Sequence, residues 1–76
     1  MSRPIHEIAR QIRQDWKKVY FGAVPYLEAM ESLDKITDTY GCDSAKGIVL
    51  HFLVNASGWR GETAKMVKTE LNRMVK

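Results

Sequence analysis

The first part of the chain places apolar side chains three or four positions apart, which is the spacing of one helical face: Ile5, Ile8, Ala9, Ile12, Trp16 and Val19. Pro4 precedes this run and suits the first turn of a helix, because the N–H group that proline lacks has no partner there. The pattern predicts a first helix over residues 4–19.

A second helical pattern follows the break at residues 20–24. Pro25 favours a helix start, and apolar side chains continue at helical spacing: Leu27, Met30, Leu33, Ile36 and Tyr40. Short polar side chains weaken the second half, because they compete for backbone hydrogen bonds. We expect a helix over residues 24–33 and a looser turn to residue 40, with Gly41 as the stop.

The third pattern is apolar on nearly every side, which is typical of a central, buried helix. Asp43 or Ser44 is expected to cap a helix over residues 43–57, whose polar strip is Ser44, Gly47, His51 and Asn55. Gly58 is expected just beyond the helix end, followed by Trp59 folded back onto the helix.

A fourth helix, over residues 61–75, carries Ala64, Val67, Leu71 and Met74 at helical spacing. No segment has comparable support as a strand. The predicted fold class is therefore all-α, a single compact bundle in which residues 1–76 form one domain with three strong helices and a weaker second one.

Composition excludes several classes of protein. The chain has 76 residues and one cysteine, so an internal disulfide framework and a cysteine-based zinc site are both excluded. Cys42 and His51 are too far apart along a helix to act as a catalytic pair. We predict no enzyme activity, catalytic residue, metal, cofactor or small-molecule substrate. Neither a targeting segment nor a membrane span is visible, which favours the cytoplasm.

Charge is distributed unevenly along the chain. The net charge is +3 overall, with a basic segment before residue 20, an acidic one over residues 20–44 and a basic one after it. The outer side of the fourth helix is therefore the leading candidate for contacting nucleic acid. Its candidate residues are Arg60, Lys65, Lys68, Asn72 and Arg73.

The competing hypothesis is a protein-binding inhibitor or adaptor. It uses the acidic stretch Glu28–Asp43, and within it Glu31, Asp34 and Asp38, together with Trp59 and Arg60. An aromatic ring beside an arginine is typical of binding hot spots. The position after Gly58 favours a packed ring instead, and we expect the Trp59 side chain to be mostly buried. The oligomeric state is not predicted.

Three segments, Ile8–Trp16, Pro25–Met30 and Phe52–Glu62, resemble those of small uncharacterised helical proteins carried by bacteriophages and integrative elements. The resemblance spans most of the chain and includes no catalytic motif. It implies a small accessory protein that works by binding.

Overall fold

Four helices and one short β-hairpin make up the computed structural model, which describes residues 3–75. The elements, in chain order, are α1 (Ile5–Asp15), α2 (Val24–Met30), β1 (Thr39–Tyr40), β2 (Asp43–Ser44), α3 (Ala45–Val54) and α4 (Glu62–Met74). The all-α fold class is confirmed, with the two-residue strands as a small addition. None of the helices in this part of the chain is long and apolar enough to cross a membrane.

The helices share one apolar core. α1 and α4 run antiparallel, as two contacts between their opposite ends show. Arg3, just before α1, forms an ion pair with Glu70 late in α4 at 2.8 Å. Asp15, at the end of α1, accepts a hydrogen bond from Trp59, just before α4. α2 packs against α1 and α3, and α3 packs against α4. Each helix contributes fully buried side chains, among them Ile8, Ile12, Leu27, Met30, Phe52 and Leu71.

α1 is shorter than the sequence predicts. The last helical bond runs from the Trp16 N–H to the Ile12 carbonyl at 2.7 Å, and the chain then bends at residues 17–18. Trp16 is buried against Phe52, with ring centroids 6.3 Å apart. Val19 is half-buried in the following loop, so its apolar spacing reflects packing onto the core and not a continuing helix.

The segment after α2 forms a tight turn and a hairpin in place of the expected loose helical turn. α2 ends at Met30, three residues before the predicted end, and the Leu33 N–H then donates to the Met30 carbonyl at 3.1 Å. The Asp38 carboxylate then accepts hydrogen bonds from the backbone N–H groups of Asp34 and Lys35, at 3.0 and 2.9 Å. Gly41 has a φ of 62° and lies at the hairpin tip, so it turns the chain between two strands where a helix stop was expected.

α3 begins as expected but is less central than predicted. The Ser44 hydroxyl caps it by accepting the Gly47 N–H at 3.1 Å. Val49 and Phe52 are fully buried, whereas Leu53 is half-buried and Val54 is 79% exposed. One side of this helix therefore faces solvent with apolar residues, which an apolar sequence pattern alone does not reveal.

The connection between α3 and α4 differs from the predicted helix end. α3 ends at Val54, and Gly58 does not take the left-handed conformation expected of it. Gly61 does have a positive φ, at 116°, and caps the start of α4. Only glycine adopts that backbone conformation without strain. The glycine-dependent position is thus the start of α4, not the end of α3.

Candidate functional site

Trp59 holds the ends of α1 and α4 together. Its side chain is 2% exposed, and its indole N–H donates to the Asp15 carboxylate at 2.7 Å. The ring is stacked on Trp16, with centroids 5.8 Å apart and planes 9° from parallel. The prediction of a buried Trp59 is confirmed, but its ring contacts Trp16 and Asp15 at the end of α1, whereas it was expected to fold back onto the third helix.

Lys68 covers Trp59 from the α4 side. Its ammonium group donates to the Trp59 carbonyl at 2.7 Å and lies 6.0 Å from the ring centroid. Partial burial lowers the pKa of Lys68, and the nearby positive charge of Arg60 lowers it further. Arg60 and Lys68 therefore lie close enough to repel each other, and an anion placed between them would relieve that repulsion.

These residues belong to a concentration of positive charge that we call the basic end, comprising residues 15–18 and 57–68. It contains five basic side chains (Lys17, Lys18, Arg60, Lys65 and Lys68) and two acidic ones, Asp15 and Glu62. Its net charge of +3 equals that of the whole chain. Among residues 3–75, the two ion pairs involve other basic residues, Arg3 and Arg13. No ion pair among the described residues therefore involves a basic side chain of the basic end.

The start of α4 adds to this positive potential. Gly61 provides no side-chain cap, so the N–H groups of the first turn have no side-chain oxygen as a partner. The helix dipole places partial positive charge at the same point. Lys65 is exposed within the first turns of α4, and its side chain leans toward the helix N-terminus.

The other two nucleic-acid candidates are placed differently. The Asn72 amide donates to the Lys68 carbonyl at 2.8 Å, so one of its two N–H groups is bound to the helix backbone. Arg73 projects about 100° around the helix from Asn72. It lines a separate depression with Arg3, Lys35 and Asp34 at the far end of α4. The five predicted residues therefore do not form one surface: Arg60, Lys65 and Lys68 do, and Arg73 lies apart.

The connection between α3 and α4 also bears on how nucleic acid could be bound. Seven residues, 55–61, separate the two helices, whereas a helix-turn-helix joins them with three or four. The fold accordingly does not place α4 as a recognition helix of that type.

The acidic candidates are mostly engaged within the domain. Glu31 forms an ion pair with Arg13 at 2.6 Å, and the Asp38 carboxylate holds the turn before the hairpin. The hydrogen bonds that the Asp38 carboxylate accepts from the Lys35 and Asp34 N–H groups lower its pKa below the ordinary value. Asp34 is exposed. With Trp59 buried, the residues proposed for protein binding do not make a common surface.

Two features were missed in the sequence. Phe21 and Val54 are each 79% exposed, and Tyr20 is 49% exposed with its ring against Phe21 at 4.8 Å. Phe21 lies in the break between the first two helices. No helical spacing of apolar residues covers that break, so the sequence does not indicate whether the side chain is buried or exposed. The second feature is a cleft beside His51, described below. Its residues come from four different elements, α2, β1, β2 and α3, so spacing along the chain does not connect them.

No group of three or more histidine, cysteine or acidic residues in the described part of the chain is arranged to hold a metal ion. Comparison with known proteins adds no assignment: no family model matches the chain, and neither a curated protein nor a solved structure matches it.

Proposed function

We propose that this domain is a small, non-enzymatic cytoplasmic accessory protein that binds nucleic acid through the basic end. Arg60, Lys65 and Lys68 are the principal contacts, with Lys17 and Lys18 beside them. The observation that supports this most directly is the excess of unpaired positive charge around Trp59. An accessory role also agrees with the resemblance to small proteins of bacteriophages and integrative elements.

The contacts are expected to be with phosphates and not with base edges. The Asn72 amide uses one of its two N–H donors on the Lys68 carbonyl, and this bond turns the side chain back along α4 instead of extending it toward a base edge. Lys68 uses one of its three donors on the Trp59 carbonyl, which leaves two for a phosphate oxygen. Phosphate contacts position a protein on nucleic acid without reading its sequence.

This mode of binding predicts a modest, salt-dependent affinity. Contacts to phosphates release condensed counterions, so that log Kobs falls with log salt by about 0.9 per phosphate contact on a DNA duplex. Three contacts give a slope of about −3, and non-specific dissociation constants of this kind are about 10⁻⁴ to 10⁻⁶ M at physiological salt.

The test is fluorescence anisotropy of a labelled mixed-sequence duplex, titrated with the protein at several salt concentrations. The variant Arg60→Gln/Lys65→Gln removes two exposed cations of the basic end and leaves the Lys68 bond intact. It should weaken binding and reduce the slope by about two units. The matched control, Arg10→Gln/Arg73→Gln, removes two exposed cations elsewhere on the surface and should retain the slope.

Two results would contradict the proposal. One is the absence of binding by the parent protein at low salt. The other is an equal loss in both double variants, which would indicate that total charge and not the basic end determines binding.

The competing hypothesis of an inhibitor or adaptor has less support in the geometry. Its aromatic anchor, Trp59, is not accessible, and Glu31 and Asp38 are engaged within the domain. Arg60 is the residue that both hypotheses share, and it is exposed.

A further inference from the structure

A cleft of about 620 Å³ lies between α2, the hairpin and the start of α3. Its volume is within the range of pockets that hold small ligands or single side chains. Aromatic rings line it from three elements: Tyr26 from α2, Tyr40 from β1 and His51 from α3. Asp43 on β2 contributes a carboxylate. None of the lining residues belongs to the basic end, so the cleft is a separate site.

The hydrogen bonding of His51 fixes what its ring can offer to a ligand. The imidazole Nδ1 lies 2.8 Å from the Gly47 carbonyl, which can only accept a hydrogen bond. Nδ1 therefore carries the hydrogen, and Nε2 of the neutral ring is an acceptor. The ring is also stacked on Tyr26, with centroids 5.3 Å apart and planes 16° from parallel. These two contacts hold the acceptor in place before any ligand binds.

The charge around the cleft selects for a cation. Of the described residues that line it, Asp43 alone carries a formal charge when His51 is neutral. The described lining includes no lysine or arginine side chain; Lys46, three positions after Asp43, is exposed and is not part of it. Tyr40 is 46% exposed, so its ring is available to a ligand, and the face of an aromatic ring attracts cations.

Guanidinium is the cation that best uses this set of groups. It is planar, stacks on aromatic rings and donates several hydrogen bonds in its plane. A carboxylate such as Asp43 can accept two of them, and the Nε2 atom of His51 can accept another. A quaternary ammonium ion would use the rings and the charge but neither acceptor.

We infer that the α2–α3 cleft binds a guanidinium group, with Tyr40 as the stacking surface and Asp43 and His51 as acceptors. The group is carried either by an arginine side chain of a partner protein or by a small free guanidine. Both sources present the same guanidinium group, and the two are distinguished by whether a peptide backbone attached to that group strengthens or weakens binding.

The experiment is a titration of the ¹⁵N-labelled protein with methylguanidinium chloride, followed by amide chemical shifts, with potassium chloride at equal ionic strength as the blank. Saturable shifts are expected at the amides of Gly47 and Ile48, which line the cleft. The expected Kd is on the order of 1 mM, as for one cation–π contact with charge-assisted hydrogen bonds. Blocked arginine and a Gly-Arg-Gly peptide are titrated in parallel. Equal or tighter binding of the peptide indicates a protein arginine, and weaker binding indicates a free guanidine.

Matched variants connect the shifts to the cleft. Asp43→Asn should weaken binding about tenfold, because it removes the charge-assisted hydrogen bonds. Tyr40→Ala should weaken it about threefold. Asp34→Asn removes the same charge from an exposed site outside the cleft and should leave the Kd unchanged. Thermal unfolding of each variant verifies that it is folded.

Three outcomes would overturn the inference. The first is the absence of saturable shifts beyond those in potassium chloride. The second is an equal effect of Asp34→Asn and Asp43→Asn, which would indicate general electrostatic attraction. The third is equally tight binding of tetramethylammonium, which would show that hydrogen-bond donation does not contribute.

Discussion

Replacing Trp59 by alanine should strongly destabilise the domain, because the ring is part of the core and not a binding anchor. The side chain is 2% exposed and stacked on Trp16. Truncation of a buried tryptophan costs about 3–5 kcal/mol. A domain of this size has about 4–11 kcal/mol of stability at the usual value per residue, so the change would remove between about a quarter and all of that stability.

A gentler pair of changes isolates the hydrogen bond between Trp59 and Asp15. Trp59→Phe retains an aromatic ring but loses the indole donor, and Asp15→Ala removes the acceptor, 2.7 Å away. Each should cost about 1–2 kcal/mol, with a coupling of about 1 kcal/mol in the double-mutant cycle, because the bond is charge-assisted but Asp15 is exposed.

Urea unfolding followed by circular dichroism gives these free energies directly. In a thermal scan, Trp59→Ala should lower Tm by on the order of 20 °C, given about 4–8 °C per kcal/mol for a domain this small. A Tm within a few degrees of the parent would refute the packing described here and return Trp59 to the exposed, partner-binding role.

Two further predictions concern the core and the α1–α4 contact. Phe52→Ala should lower the free energy of unfolding in urea by about 3–5 kcal/mol. Leu53→Ala should lower it by only about 1–2 kcal/mol, because part of the Leu53 side chain is already in water. Equal losses would contradict the difference in burial between these two residues of α3. The Arg3 guanidinium donates to Glu70 and holds the pKa of that carboxyl below its ordinary value. Glu70 therefore adds stability that is present above its unfolded-state pKa of about 4.3 and lost as pH falls through the lower folded-state pKa. Glu70→Gln should cost about 0.5–1 kcal/mol at neutral pH, discounted for exposure, and nothing at a pH below the folded-state pKa; a cost that persists there would not come from the ion pair.

The helices were predictable where periodicity and a capping residue agree. Asp43 or Ser44 was expected as a cap and Ser44 is the cap. The predicted apolar positions of α1 up to Ile12, and Ala64, Val67 and Leu71 of α4, are buried, whereas Met74 is half-buried. Helix ends were less predictable because tertiary contacts decide them. α1 ends where Trp16 packs into the core against Phe52 and Trp59. Lys17 and Lys18 are typical of a helix C-terminus, but they do not specify the residue at which the helix ends.

The hairpin illustrates a different limit. Residues 39–44 contain no alternation of apolar and polar side chains long enough to indicate strands. What forms the hairpin is a glycine at positive φ together with a carboxylate, Asp38, that closes the preceding turn. The cleft beside His51 depends on this hairpin, so the sequence pattern offered no means of finding it.

The proposed binding role of the basic end is coupled to the packing of Trp59, and this affects how binding data should be interpreted. Lys68 is held by the Trp59 carbonyl, and Trp59 is held by Asp15, so the position of the cations depends on the buried ring. A loss of nucleic-acid binding in Trp59→Ala would therefore not show that the ring contacts nucleic acid. Trp59→Phe is a better test than Trp59→Ala, because its ring retains most of the packing that positions the backbone carbonyl to which Lys68 donates. It should bind a duplex with nearly the parent affinity and the parent salt slope, measured well below its Tm. A large loss of affinity in this folded variant would show that the indole contributes to binding beyond its packing, and would contradict an interface made of phosphate contacts alone.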